Sequence, residues 1–313
     1  MAPRLRSIFM GTPEFAVPAL RATAAATSLS LVVTQPDRPS GRGRRPDSPP
    51  VKRVAAELGI RVIQPETFRG GGFLSELQAL EPDVVVTAAF GRILGRRALD
   101  LPRLGCLNVH ASLLPAYRGA APVAWAIRNG EPVTGVSITR MSAELDAGPV
   151  YRAEEVAILP EETAGELTAR LSSVGAVLLG GVLSDLPAGL VPVPQDEARA
   201  SYAPSLTKDD GRIEWRRRAR EVQAHVRGMH PWPCATTALG GQVVKVHRAV
   251  VVDPEGAVAA RPGEVLDHSR DGVSVACGEG VVRLVELQMP GRRRLGAASF
   301  YAGQRLERGI VLG

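Results

Sequence analysis

The chain opens with a series of short runs that are apolar at almost every position: LRSIFM, SLSLVVT, IRVIQ, DVVVTAA and GCLNVH. A strand with one face in water alternates apolar and polar residues, because successive side chains point to opposite faces. These runs do not alternate, so each needs cover on both sides, as in a parallel sheet between two layers of helices. The segments between them, FAVPALRATAAA, VKRVAAEL and FLSELQAL, have helical patterning and supply that cover. The expected fold is therefore α/β, with a doubly wound, mostly parallel, Rossmann-like sheet in the N-terminal domain. In the first strand-to-helix turn, MGTPEF, Gly11 stands alone. The second and third glycines of the dinucleotide fingerprint are missing, which disfavours a nucleotide cofactor.

At 313 residues the chain is long for a single core. After VTGVSIT, the extended VYRAEEVAI and the helical ETAGELTARLSSVGAVLLGGVL comes LPAGLVPVPQDEARASYAPSL, rich in proline and polar residues and read as a linker. Beyond it, WRRRAREVQAHVRGM is expected to be a helix. The strand-like runs QVVKVHRAVVV, GEVLDH, GVSVAC and VVRLVELQ then alternate with glycine turns, as in a small barrel. The expected division is 1–190, a linker at 191–206, and 207–313. Residues 35–50, with GRGRRP and RRPDSPP, read as a long exposed loop.

No apolar run approaches the roughly 18 residues that a membrane helix needs. MAPRLRSIFMG fits a first buried strand better than a signal peptide, so a cytoplasmic location without membrane partners is expected. Cys106, Cys234 and Cys277 are odd in number and lack metal-ligand spacing; reduced core thiols and no metal are expected. The net charge of +6 is uneven, +1 over residues 1–205 and +5 over 206–313, so the second part of the chain is the basic part. Arginine outnumbers lysine 35 to 3, a skew that base composition alone can produce.

If GCLNVH is a strand, Asn108 and His110 share one face and Val109 enters the opposite layer. In open α/β sheets ligands gather beyond the carboxyl ends of the strands, where these two residues and the following loop fall. A neutral imidazole can take a proton near neutral pH, and a carboxamide can donate to a carbonyl oxygen that is becoming an oxyanion. The pair suits acyl transfer. Asp146, in the turn ELDAGPV, is a candidate to orient the imidazole, with Gly148 permitting the bend. The competing reading makes His110 a hydrogen-bonded core residue, Asn108 a strand-end group and Asp146 a turn former. No serine or cysteine offers a nucleophile motif, so the attacking group would come from the substrate. Arg118 either meets an anion or anchors its loop.

NVHASLLPAYRGAAP closely resembles the signature of the folate-dependent formyltransferases, and the order Asn108, His110, Asp146 is similar to that family's catalytic trio. TQPDRPSGRGRRPDSPPVKRVA, YAPSLTKDDGRIEW and VRGMHPWP resemble the branch that formylates methionyl-tRNA, whose smaller C-terminal domain is an OB-like β-barrel. The resemblance implies 10-formyltetrahydrofolate as donor and the α-amino group of methionine on initiator tRNA as acceptor, with no obligatory protein partner. By the same resemblance Ser112, Leu113, Leu114 and Pro115 border the folate, and Phe90, Gly91, Ile93 and Leu94 line the pterin pocket largely through backbone groups. With a tRNA acceptor, Arg38, Arg42, Arg44 and Arg45 become candidates for the acceptor end, and Arg216, Arg217, Arg218, Arg292, Arg293 and Arg294 for phosphates farther along. Glu144 and Ala147 stand where members often carry Gly and Thr. Two other classes compete: the same folate chemistry on a small amine or on water, and a non-catalytic RNA-binding protein on an inherited scaffold.

Overall fold

The computed structural model describes residues 4–40, 45–67, 71–256, 259–303 and 306–313, with residues 38–40, 45, 46 and 71 described by backbone alone. By packing, the chain divides into two compact units. One comprises 1–119, 133–157 and 168–202; the other comprises 120–132, 158–167 and 203–313.

The first unit holds a seven-stranded sheet in the order Val150–Ala157, Val133–Arg140, Cys106–His110, Val84–Ala88, Arg6–Gly11, Ser28–Val33, Val62–Ile63. The last five strands of that order are mutually parallel, and Val133–Arg140 runs antiparallel to Cys106–His110. The unalternating runs have the cover they require. All five residues of Val84–Ala88 are buried, and Ile8, Phe9 and Met10 are each at most 1% exposed. The helices Val17–Ala26 and Pro50–Glu57 begin with proline in the first turn, where a missing N–H costs nothing and φ is already helical.

The helix Ala164–Asp185 is 22 residues long. With the short turn that follows it, it is long and apolar enough to cross a membrane by length and composition alone, at a mean hydropathy of 1.5, even though serines and charged residues interrupt its apolar runs. Its inward face is occupied: Leu171, Leu179, Val182 and Leu183 are buried, and a Cβ on Gly175 would lie 2.8 Å from Val109 Cγ1 and 3.1 Å from Val136 Cγ1. Glycine lets the helix backbone settle directly on the sheet there.

The expected loop at 35–50 contains a short antiparallel ladder, Arg38–Ser40 with Arg45–Asp47. Prolines at 39 and 46 face each other in it, which suits an isolated two-stranded edge where few N–H donors are needed.

The second unit is an antiparallel sheet in the order Ala235–Leu239, Gln242–Asp253, Val281–Gln288, Gly272–Ala276, Val265–Ser269, with Leu295–Gly296 added to Val281–Gln288. The last residues of the chain reach both outer strands: Val265 N–H donates to Ile310 O at 2.8 Å, and Gly313 N–H donates to Ala238 O at 3.1 Å. The helix expected over WRRRAREVQAHVRGM covers Ala219–Gly228 only. Trp215 leaves the helical register because its ring is buried and its Nε1–H donates to Thr237 Oγ1 at 3.0 Å. Arg218 is the N-cap, where Glu221 accepts from its backbone N–H at 3.0 Å.

Candidate active site

Asn108 and His110 lie on one face at the carboxyl end of the strand Cys106–His110, and Val109 packs beneath the long helix on the other. Asp146 arrives from the turn between Val133–Arg140 and Val150–Ala157, in the left-handed region at φ +50°. Aspartate tolerates this region better than most residues. Gly148 is required for a different reason than a bend, since a Cβ there would lie 1.8 Å from the carbonyl oxygen of Arg140.

The three side chains meet. His110 Nδ1 is 3.7 Å from Asp146 Oδ2, and Asn108 Nδ2 donates to Asp146 Oδ1 at 3.4 Å. Gly119 N–H donates to Asp146 Oδ2 at 2.9 Å. His110 Nε2 faces the carbonyl oxygen of Tyr117 at 3.0 Å. A carbonyl can only accept, so Nε2 carries a proton in this geometry, and Nδ1, beside the carboxylate, is the ring position that takes up another. A proton arriving at Nδ1 completes an imidazolium with an acceptor on each side. Thr87 Oγ1–H donates to Asn108 Oδ1 at 2.8 Å, which fixes the amide with its NH2 toward the cleft. One N–H of that group serves Asp146; the other remains to donate to a substrate oxygen.

Tyr117, Gly119 and Thr87 were not visible as site residues in the sequence. Tyr117 is itself left-handed, at φ +59°, which for a bulky residue marks a loop held in shape by its surroundings. Ser137 holds part of it, accepting from Leu114 N–H at 3.1 Å and donating to Ser112 O at 2.8 Å. Gly135 leaves room for Leu113, whose Cδ2 would lie 2.5 Å from a Cβ there.

The segments read as folate-binding are built in two ways. Ser112 is fully buried and its hydroxyl donates to Ala116 O at 2.6 Å, so that side chain is committed to the loop, while Leu113, Leu114 and Pro115 are half-buried. In the other segment Phe90 and Leu94 are core residues, each 5% exposed, and the Phe90 carbonyl accepts from Gln35 Nε2 at 2.9 Å. Gly91 is exposed and Ile93 is 85% exposed. Leu145, next to Asp146, is 62% exposed. Backbone amides around the loop and uncovered aliphatic side chains suit a flat heteroaromatic ligand that is itself rich in donors and acceptors.

Arg118 is an anchor. It is 1% exposed, and its guanidinium donates to Glu197 at 2.9 and 2.7 Å and to Gln195 Oε1 at 3.0 and 2.8 Å. Its hydrogen bonds hold the Glu197 carboxyl below the usual carboxylate range.

Of the basic residues, Arg42 and Arg44 lie outside the described residues, and the side chains of Arg38 and Arg45 lie outside them too. Arg217 pairs with Glu214 at 2.9 Å, Arg218 with Glu279 at 3.0 Å, and Arg294 with Glu286. Arg216, Arg292 and Arg293 make no salt bridge among the described residues. The second unit also carries an open groove of about 620 Å³, lined by Lys208, Arg212, Lys245 and Trp232, whose ring is more than half exposed. Those residues were missed because no local run of charge announces them; strand and turn geometry gathers them.

Residues 5–183 match the family described as Formyl transferase, and residues 205–305 match Formyl transferase, C-terminal domain. The chain is 46% identical over 310 residues to the methionyl-tRNA formyltransferase of Pelotomaculum thermopropionicum, covering 99% of both. It is 45% identical to that of Geobacter metallireducens, again over 99% of both. The chain belongs to the methionyl-tRNA formyltransferase family.

The fold of this formyltransferase family recurs in solved structures of low identity. An N-formyltransferase from Helicobacter canadensis, solved with folinic acid and dTDP-3-aminofucose, superposes with a TM-score of 0.69 at 15% identity, covering 91% of this chain and 99% of that one. HypX from Aquifex aeolicus, solved with tetrahydrofolic acid, superposes with a TM-score of 0.61 at 16% identity, covering 98% of this chain and 51% of that one.

Proposed function

We propose that the protein transfers the formyl group of 10-formyltetrahydrofolate to the α-amino group of methionine carried by initiator tRNA, with Asn108, His110 and Asp146 as the catalytic trio. The observation that carries the reading is the convergence of a carboxamide, an imidazole and a carboxylate at a strand end. The folate donor supplies an activated one-carbon acyl group. The chain supplies the rest. His110 accepts at Nδ1 the proton that the amine loses on bonding to the formyl carbon, and Asp146 balances the imidazolium. The free N–H of Asn108 donates to the formyl oxygen as negative charge develops there. His110 is then placed to return a proton to the departing folate nitrogen. The loop at 112–115 and the exposed Ile93 and Leu145 form the walls against which the donor is held.

In this reading residues 1–190 hold the chemistry and 207–313 hold the RNA, through Arg216, Arg292 and Arg293 and the groove of Lys208, Arg212, Lys245 and Trp232. Three cations beside one exposed aromatic ring suit a backbone phosphate path with a stacked base. The arginines at 38, 42, 44 and 45 would meet the acceptor end. A role in starting protein synthesis in the cytoplasm, without a membrane or an obligatory protein partner, goes with this substrate. The test is a formyl-transfer assay that offers charged initiator tRNA, charged elongator tRNA, free methionine and water together. Formylation of initiator tRNA alone supports the reading; preference for a small amine or for water would replace it.

A further inference from the structure

The segment read from sequence as a linker touches the site at several points. Gln195 Nε2 donates to Asp146 O at 2.7 Å and to Gly148 O at 2.6 Å, bracketing the turn that presents the carboxylate. The other end of the same amide, Oε1, accepts from the buried guanidinium of Arg118, which Glu197 grips in turn. At the far end Ser201 accepts from Tyr117 N–H through Oγ at 2.9 Å, accepts from Arg118 N–H through its carbonyl at 2.8 Å, and donates from its own N–H to Pro115 O at 3.2 Å. Asp196 caps the short turn between them, its carboxylate accepting from Ala198 N–H at 3.1 Å. Tyr117 and Asp146, which are themselves in left-handed geometry, are therefore clamped by the same seven-residue stretch.

We infer that residues Gln195 to Ser201 form a positioning strap for the catalytic trio, with Gln195 acting through Asp146, and Ser201 through the Tyr117 carbonyl that faces His110. The inference rests on the catalytic reading of that trio. Left-handed backbone at a non-glycine residue persists only where neighbours over-determine it. The strap supplies those neighbours. Gln195 is suited to the task because one amide both accepts and donates: the acceptor end takes up the fork of Arg118, and the donor end satisfies two carbonyls that would otherwise splay the turn. The side-chain polar groups of Gln195 and Ser201 are both engaged with protein partners.

Gln195→Glu separates positioning from anchoring. A carboxylate keeps, and strengthens, the acceptor for Arg118, but it sets an oxygen against the Asp146 and Gly148 carbonyls. A purely structural role for Gln195 leaves this variant at wild-type activity. The strap predicts a kcat at least about tenfold lower, since small displacements of a catalytic group are costly, with KM for folate and for charged tRNA within about twofold. The ring nitrogen resonances of His110, read by NMR at one pH on the full chain, should also move. Wild-type kcat in a folded Gln195→Glu protein overturns the inference. Should that protein not fold, Ser201→Ala decides: it removes only the acceptor for Tyr117 N–H, and the strap requires kcat to fall and Ser201→Thr to restore it. Failure of the wild-type protein to formylate any charged tRNA sinks the functional reading instead, and is seen before any variant is made.

Discussion

His110 in the first unit and His225 in the second are equally hidden, each 6% exposed, and each has Nε2 facing a backbone carbonyl, Tyr117 O at 3.0 Å and Gly211 O at 3.2 Å. Their other neighbours differ. His110 has the carboxylate of Asp146 beside Nδ1, whereas His225 is lowered in basicity first by burial and then by the guanidinium groups of Arg128 and Arg217. His230, His247 and His268, all in the second unit, are lowered by burial as well. Burial therefore does not distinguish the proposed catalytic histidine from His225. What marks His110 is a carboxylate set directly against a ring nitrogen, Asp146 Oδ2 at 3.7 Å from Nδ1, and the first unit uses a left-handed turn, a strap and a buried arginine to place that charge.

The largest effects should follow from removing the proposed catalytic groups. His110→Ala and Asn108→Ala are each expected to lower kcat by roughly 10²-fold or more while leaving the fold and the affinity for tRNA in place. Near-normal turnover in either folded variant would reduce the two to core residues, making His110 no different from His225. Asp146→Asn is the sharper probe, because asparagine also tolerates the left-handed region and keeps the turn. A loss of at least about tenfold in kcat then reports the charge, not the backbone.

Substitutions in the second unit should act on binding. Replacing Arg216, Arg292 and Arg293 together by alanine should raise KM for charged tRNA with kcat little changed. It should also flatten the salt dependence, by roughly 0.9 in log–log slope for each phosphate that is no longer neutralised. Folate affinity should stay at the wild-type value. An unchanged slope would make these arginines ordinary solvated surface.

Acid should separate the two units by stability. The four histidines of the second unit have folded-state values below their ordinary 6.5, so as pH falls through about 6.5 the unfolded chain takes up protons before the folded one does. Their neutral packing contributes fully above that pH and is lost progressively below it. Hydrogen exchange on the full chain at pH 7.5 and 5.5 should show protection falling first in the strands between Ala235 and Gln288. The smallest effect concerns the thiols. Burial pushes Cys106 and Cys277 up to about 12, leaving almost no thiolate at pH 8, so a disulfide reagent should label them only on unfolding.

What was legible from the residues follows the same division. The parallel strands showed as unalternating runs because their cover on both faces is a local compositional fact. The strand facing of Asn108 and His110 followed from a period of two. Asp146 was reachable because a glycine turn signals itself. Gln195 and Ser201 were not, since they lie 49 and 84 residues from Asp146 and Tyr117 along the chain and look like any polar linker. Trp215 shows the converse error. Its neighbours extend a helical pattern, but burial of the ring against Thr237, pairing of residues 215–218 with Gly278 and Glu279, and the N-cap at Arg218 keep the helix from starting before Ala219.

Residues Ile310 to Gly313 also cover the outer strands of the second sheet. Open β-sheet edges offer rows of unpaired N–H and C=O groups that recruit other chains. Here Ile310 and Gly313 occupy such groups on both outer strands of the second unit, and Leu312 between them is 4% exposed, seated like a plug. A chain cut before Ile310 would keep Asn108, His110, Asp146 and the arginines proposed to hold RNA. Its first symptom would be concentration-dependent association through the uncovered strand edges, visible by light scattering.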